Sequence, residues 1–304
     1  MDHDARYHRI DMTIIPGEHQ APKKSNAVSD WGRQVVKIGA AAFDGMHALA
    51  PGVVVLIYHR VGQLTSGTVD LPMSLFEHQI AELAASGRVI TLDEAIDRLT
   101  GIHVDPLGHD EFGAPPVVVT FDDGSADLAD LATPVLDTYG VPASLYLVTD
   151  AVDNARAHSG GPAPLSWSAL REMVSTSRWT IESHTHSHML LDRLPEASIS
   201  DQLDRSIDLI SENIGRTPQH FAYPKALLGS PAAAQQIRER FRSAAIAGTR
   251  ANRFEGTDPW ALHRSPIQVD DGMKWFRRKA LGGMRLEDDL RRAVNRVRHA
   301  SRTS

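Results

Sequence analysis

The 304-residue sequence predicts an α/β fold, a parallel sheet with helices packed outside it. Three observations carry this. Strand-like and helix-like segments alternate from about residue 51 onward. The clearest strands, Val53–Tyr58 and Pro116–Phe121, are continuous apolar runs rich in β-branched residues, the pattern of strands buried on both faces. Polar residues suited to chemistry fall just after strands, at His59, Asp122-Asp123 and His184–His188. A closed barrel and a doubly wound sheet both meet this pattern, and in a barrel the post-strand positions line the C-terminal rim.

The elements follow in order. Residues 1–50 read as a partly disordered N-terminal extension, polar over its first thirty or so residues and helical in character from Trp31 to Leu49. The strand Val53–Tyr58 opens the body. Ser74-Leu75-Phe76-Glu77 reads as a capping box starting a helix with Phe76, Ile80 and Leu83 on one face, ended by Gly87. Arg88–Ile90 is a second short strand, and Thr91-Leu92-Asp93-Glu94 a second capping box. A loop rich in Gly, Pro and His leads to Pro116–Phe121, followed by a helix carrying Leu128, Leu131, Val135 and Leu136. Strands are then expected at Ala143–Val148, Trp179–Glu182, His220–Tyr223 and Ser243–Ala247, with Leu262–Val269 extended. Helices are expected at Trp167–Val174, Pro195–Ile214 and Ala232–Phe241, and two more close the chain.

Composition narrows the partners. A net charge of −6 gives no electrostatic footprint for nucleic acid. The arginines between Arg277 and Arg302 alternate with Glu287, Asp288 and Asp289 and read as a solvated helical face. With no cysteine, disulfides and thiolate metal sites are excluded, so a bound metal must use nitrogen and oxygen ligands. The N-terminal stretch has no continuous apolar core of the secretory kind, and no run approaches the roughly 20 apolar residues of a membrane span. A cytoplasmic location is the resulting expectation.

The chemistry lies in two short runs, Thr120-Phe121-Asp122-Asp123-Gly124 and His184-Thr185-His186-Ser187-His188, roughly sixty residues apart. Paired carboxylates and clustered imidazoles are what a metal hydrolase needs: ligands for one ion, and a spare carboxylate to take a proton from water. Asp-Asp-Gly alone is also the composition of a turn, with Asp123 capping the next helix. In an extended chain the three histidines share a face. If the chain turns after the strand, His184 and His188 lie one helical turn apart and His186 points elsewhere. His59 ends a buried strand, and beside a metal site its ordinary pKa of about 6.5 suits a proton donor.

These motifs resemble those of the polysaccharide deacetylases of the NodB-homology type, the family-four carbohydrate esterases. TFDDG matches the first family motif and His184–His188 the second, H-[ST]-x-x-H; the resemblance runs from about Val53 to Leu281. It implies a distorted (β/α) barrel, a catalytic domain over residues 51–304, and one divalent metal, zinc or else cobalt, nickel or iron. By the same resemblance Asp123, His184 and His188 are the ligands and Asp122 is the general base. The opening Leu56-Ile57-Tyr58-His59-Arg60-Val61-Gly62 is similar to a subgroup acting on exopolysaccharide N-acetylglucosamine, which makes His59 the acid.

One departure stands out. The third motif, R-x-P-[YF], is here Ala222-Tyr223-Pro224-Lys225, without its arginine. Phe221-Ala222-Tyr223-Pro224 does match a run common in the subgroup. Arg264, in Leu262-His263-Arg264-Ser265-Pro266-Ile267, is either a compensating charge or an ordinary surface ion pair. The expected reaction is hydrolysis of an N-acetyl (or O-acetyl) group on a sugar, glycan or polysaccharide, with Tyr223, Pro224 and Lys225 at the substrate and the Lys225 N–H on the oxyanion. Trp260 is the candidate sugar-stacking ring, while Trp179 reads as core. The alternatives are an amidohydrolase built on an HxH pair that includes His186, and a non-catalytic carbohydrate-binding relative.

Overall fold

The computed structural model describes residues 51–102, 113–156 and 162–284. The expected N-terminal extension and the last of the closing helices lie outside them. Seven strands form a parallel barrel: β1 (Gly52–Tyr58), β2 (Val117–Asp123), β3 (Ala143–Leu147), β4 (Trp179–Ser183), β5 (His220–Ala222), β6 (Ser243–Ala247) and β7 (Leu262–Pro266). Each pairs with the next in chain order. β7 returns to β1 with Val55 opposite Arg264 and Ile57 opposite Pro266, so the ring closes and the doubly wound alternative falls away. A short strand, Asn252–Arg253, lies antiparallel on the start of β1. A Cβ on Gly52 would sit 2.1 Å from the Asn252 carbonyl oxygen, so that approach requires glycine.

The helices are α1 (Met73–Ala85), α2 (Leu92–Leu99), α3 (Thr133–Tyr139), α4 (Thr149–Asp153), α5 (Trp167–Thr176), α6 (Glu196–Ile214), α7 (Pro231–Arg240) and α8 (Gly272–Lys279). Strand alternation sorts the apolar residues into two cores. Leu56, Tyr58, Val119, Phe121, Leu145 and Ile181 face outward and pack under Phe76, Ile80 and Leu83 of α1 and Leu170 of α5. Phe121 is central there, its ring 5.3 Å from that of Tyr58 and 5.1 Å from that of Trp179, which is core as expected. Val53, Val55, Val118, Tyr146, Ala222, Ala245 and Leu262 face inward. That inner core continues into Leu92, Ala95, Ile96 and Leu99 of α2, which plugs the N-terminal end of the barrel. Both faces of each strand are therefore buried, which is why the strands read as unbroken apolar runs.

The second capping box forms as expected: Thr91 Oγ1 accepts from the Glu94 N–H, and Glu94 accepts from the Thr91 N–H at 2.7 Å. The first does not. α1 begins two residues earlier, with Pro72 at the cap, so Ser74 already lies inside the first turn. Arg88–Ile90 is reduced to a single bridge, Val89 to Val117, because the chain must turn at Thr91 to enter α2. The helix carrying Leu128 starts as a π turn, Leu128–Ala132, before α3.

The plug should be a stability element. Ile96→Ala is expected to destabilise the protein by about 2–5 kcal/mol through the cavity it leaves, and Thr91→Ala by about 0.5–2 kcal/mol through loss of the cap. Urea denaturation measures both, and an Ile96→Ala variant as stable as wild type would show that α2 does not close the barrel.

Candidate metal centre and active site

The residues singled out from sequence converge on the C-terminal rim. β2 runs through Asp122 and Asp123, opposite Tyr146 and Leu147 of β3. Asp122 stays on the strand with its side chain buried. At Asp123 the backbone flips to φ 74°, left-handed, which turns the second carboxylate toward the same site. Gly124 follows at φ 91°, and a Cβ there would stand 2.5 Å from a Leu147 methyl. This is how two neighbouring aspartates avoid pointing in opposite directions.

The histidine run turns, as the second of its two readings required. Thr185 and His188 have φ of 67° and 58°, and the His184 and His188 rings meet edge-on with centroids 4.9 Å apart. His186 leaves the group: its Nδ1 pairs with Thr149 Oγ1 at 3.0 Å, and its Nε2 lies 3.7 Å from Asp150 at the start of α4. Asp123, His184 and His188 remain, their ligand atoms all within 4.8 Å of one another, the one such cluster among the described residues. An HxH pair that includes His186 is not assembled.

The donor set fits a divalent cation. His184 Nδ1 donates to the Ala222 carbonyl at 2.7 Å, which leaves the Nε2 lone pair facing Asp123 Oδ1 at 3.8 Å and Asp122 Oδ2 at 4.0 Å. Burial pushes the His184 imidazole below its ordinary pKa despite the pull of Asp122 and Asp123, so it stays neutral. His188 Nε2 stands 3.7 Å from the same Asp123 oxygen. A neutral ring nitrogen and carboxylate oxygens converge here, the nitrogen–oxygen set that suits zinc and its first-row neighbours.

Arg264 is not on the surface. It is fully buried, and its guanidinium grips Asp122 through two bonds, Nη1 to Oδ1 at 2.6 Å and Nη2 to Oδ2 at 2.9 Å. Nη1 also donates to Thr120 Oγ1 at 3.2 Å, and the guanidinium stacks 4.7 Å over the Tyr146 ring. Burial alone would raise the Asp122 pKa. The charge of Arg264 and its two bonds outweigh it and hold the carboxyl down at about 2. Ala222, where the motif arginine is missing, faces the same barrel interior. Leu262 also faces inward, so strand alternation from Leu262 to Arg264 was the sequence signal for this placement.

His59 ends β1 half-buried beside this group; its charge contributes to depressing Asp122, and its Nδ1 is buried with no partner. The segment after β5 turns sharply, with Lys225 at φ 52°. Tyr223 itself is buried against Phe221, so what this segment presents at the rim is backbone rather than the ring. Trp260 is a correction. It precedes β7, at the opposite end of the barrel, with Nε1 donating to the Phe241 carbonyl and Arg238 stacked on its ring.

A family model described as polysaccharide deacetylase matches residues 109–240. Over those residues the chain is similar to a polysaccharide deacetylase domain. The chain is 29% identical over 126 residues to the poly-beta-1,6-N-acetyl-D-glucosamine N-deacetylase of Staphylococcus aureus (strain MSSA476), covering 39% of this chain and 43% of that protein. The Staphylococcus epidermidis protein of the same name is 33% identical over 117 residues, 38% of this chain and 39% of its own length. The chain thus spans about two fifths of the curated relatives it matches. Among solved structures, IcaB from Ammonifex degensii superposes with a TM-score of 0.63 at 27% identity, covering 76% of this chain and 99% of that one. The Streptococcus pyogenes deacetylase PplD, TM-score 0.65 at 17% identity and the same coverage, shares the fold. The family match contains Asp122, Asp123, His184 and His188, whereas His59 and Arg264 lie outside it on the two strands that close the deacetylase barrel.

The Arg264–Asp122 pair gives a stability test. Arg264→Met should cost about 3–5 kcal/mol because it strands a buried carboxylate, and Arg264→Met with Asp122→Asn should recover much of that. Asp122 has a lowered folded pKa, so its contribution is present above about pH 4 and is lost as pH falls toward about 2. The gap between wild type and Arg264→Met in urea melts should therefore narrow across that window. A pH-independent gap would contradict the pair.

Proposed function

We propose that this protein is a metal-dependent hydrolase that removes N-acetyl groups from an N-acetylglucosamine polysaccharide. The observation that carries this reading is the convergence of Asp123, His184 and His188 beside an arginine-clamped Asp122 on the rim of the deacetylase barrel. The similarity to poly-beta-1,6-N-acetyl-D-glucosamine N-deacetylases supports the substrate class.

A divalent ion held by Asp123, His184 and His188, zinc on this reading, would supply Lewis acidity toward the acetyl carbonyl and lower the pKa of water. The remaining steps belong to the chain. Asp122, kept ionised by Arg264, accepts the proton of the attacking water on a carboxylate oxygen. Arg264 positions that carboxylate from below and takes the place of the arginine missing at Ala222. The Lys225 N–H, turned by Pro224 and the left-handed backbone after it, donates to the oxygen that gains charge as the carbonyl is attacked. His59, from the neighbouring strand, delivers a proton to the departing sugar nitrogen, without which the C–N bond breaks slowly. Its unpaired Nδ1 leaves the ring open to respond to substrate.

The test is acetate release from a panel of N- and O-acetylated sugars that includes β-1,6-linked N-acetylglucosamine oligomers. Activity is expected on the N-acetylated oligomers, to vanish with chelator, and to return with zinc or cobalt. Asp122→Asn and His59→Gln should each lower kcat by about 10²–10⁴-fold while zinc still binds. No acetate from any sugar at saturating metal, with glycan binding intact, would replace catalysis by a carbohydrate-binding role.

A further inference from the structure

The turn that carries the two histidine ligands is held from behind by one residue of α6. Five backbone N–H groups run from His184 to His188. Those of His184, Thr185 and His188 bond to Leu147 O at 3.0 Å, Ser183 Oγ at 3.4 Å and Thr185 Oγ1 at 2.9 Å. The other two both end on Gln202: His186 N–H on its main-chain carbonyl at 3.0 Å, and Ser187 N–H on Oε1 at 2.9 Å. Ser187 Oγ donates to the same Oε1 at 3.0 Å.

Gln202 is 7% exposed, on the buried face of α6 beside Ile199 and Leu203. Its helix is tied to the end of β4 through Ser206 Oγ and Ser183 Oγ at 2.7 Å. The backbone between the histidines passes through left-handed conformations at Thr185 and His188, which persist only where surrounding bonds over-determine them. Gln202 bonds the chain between the ligands rather than either imidazole. Its contribution is therefore to the angle at which His184 and His188 face Asp123.

Resting on the metal-binding reading above, we infer that Gln202 is a positioning residue that sets the metal affinity of the site. A side chain of similar length without an acceptor frees the Ser187 N–H and hydroxyl and lets the turn relax. A carboxylate of the same length keeps both bonds.

The experiment uses the full chain, stripped of metal, with zinc affinity read by competition with a chromophoric chelator and ligand geometry by the absorption spectrum of added cobalt(II). Gln202→Met is expected to bind zinc about 10–100-fold more weakly, with an altered cobalt spectrum, while Gln202→Glu stays within about threefold of wild type. Ser187→Ala, which removes one of the two side-chain bonds, is expected to weaken zinc binding by about threefold or more, and it carries the test should Gln202→Met not fold. Unchanged zinc affinity in Gln202→Met or in Ser187→Ala overturns the inference. So does a Gln202→Glu variant as weak as Gln202→Met. A wild-type chain that binds neither ion overturns the metal reading itself, and this inference with it.

Discussion

The pairing of β7 with β1 is the constraint on which the site depends. It sets Arg264 opposite Val55 and, on β7's other side, opposite Ala247, inside a barrel whose interior is otherwise lined largely by apolar side chains. An arginine can be buried there only because a carboxylate meets both of its terminal nitrogens and an aromatic ring covers its face. Asp122 in turn can remain ionised in a buried position only because that guanidinium is present. Neither side chain is tolerable without the other, and their geometry orients the carboxylate next to the ligand group.

Space inside the barrel explains the departure at position 222. A strand interior that already holds Arg264 and Tyr146 side by side has little room for a second arginine, and Ala222 and Ala245 supply the small neighbours that close packing demands. The main-chain carbonyl of Ala222 keeps a separate task, holding the His184 ring in its tautomer.

Much of the fold was legible because buried parallel strands announce themselves as apolar runs, and the capping box at Thr91 and the left-handed Gly87 punctuate as local chemistry dictates. The convergence of Asp123, His184 and His188 was legible through motif spacing and the family resemblance. What escaped was whatever long-range pairing decides. The burial of Arg264 follows from closure of the ring, which no local window contains. Trp260 reflects the same limit, since the composition of its loop gave no sign that the ring is taken up by Phe241 and Arg238. Gln202 was invisible for a different reason: a glutamine on a mid-helix face has no spacing signature, and its role comes from what lies across from it.

His59 follows β1 and Arg264 lies on β7, so the proposed proton donor and the clamp on Asp122 come from opposite ends of the described residues and meet at the seam. Asp123, His184 and His188, by contrast, all sit in the middle, on β2 and just after β4. A nascent chain can therefore carry the whole ligand motif before β7 has been made, yet its Asp122 has no arginine to hold it. On the proposed reading, completion of the ring and chemical competence become a single event, which builds a form of quality control into the topology.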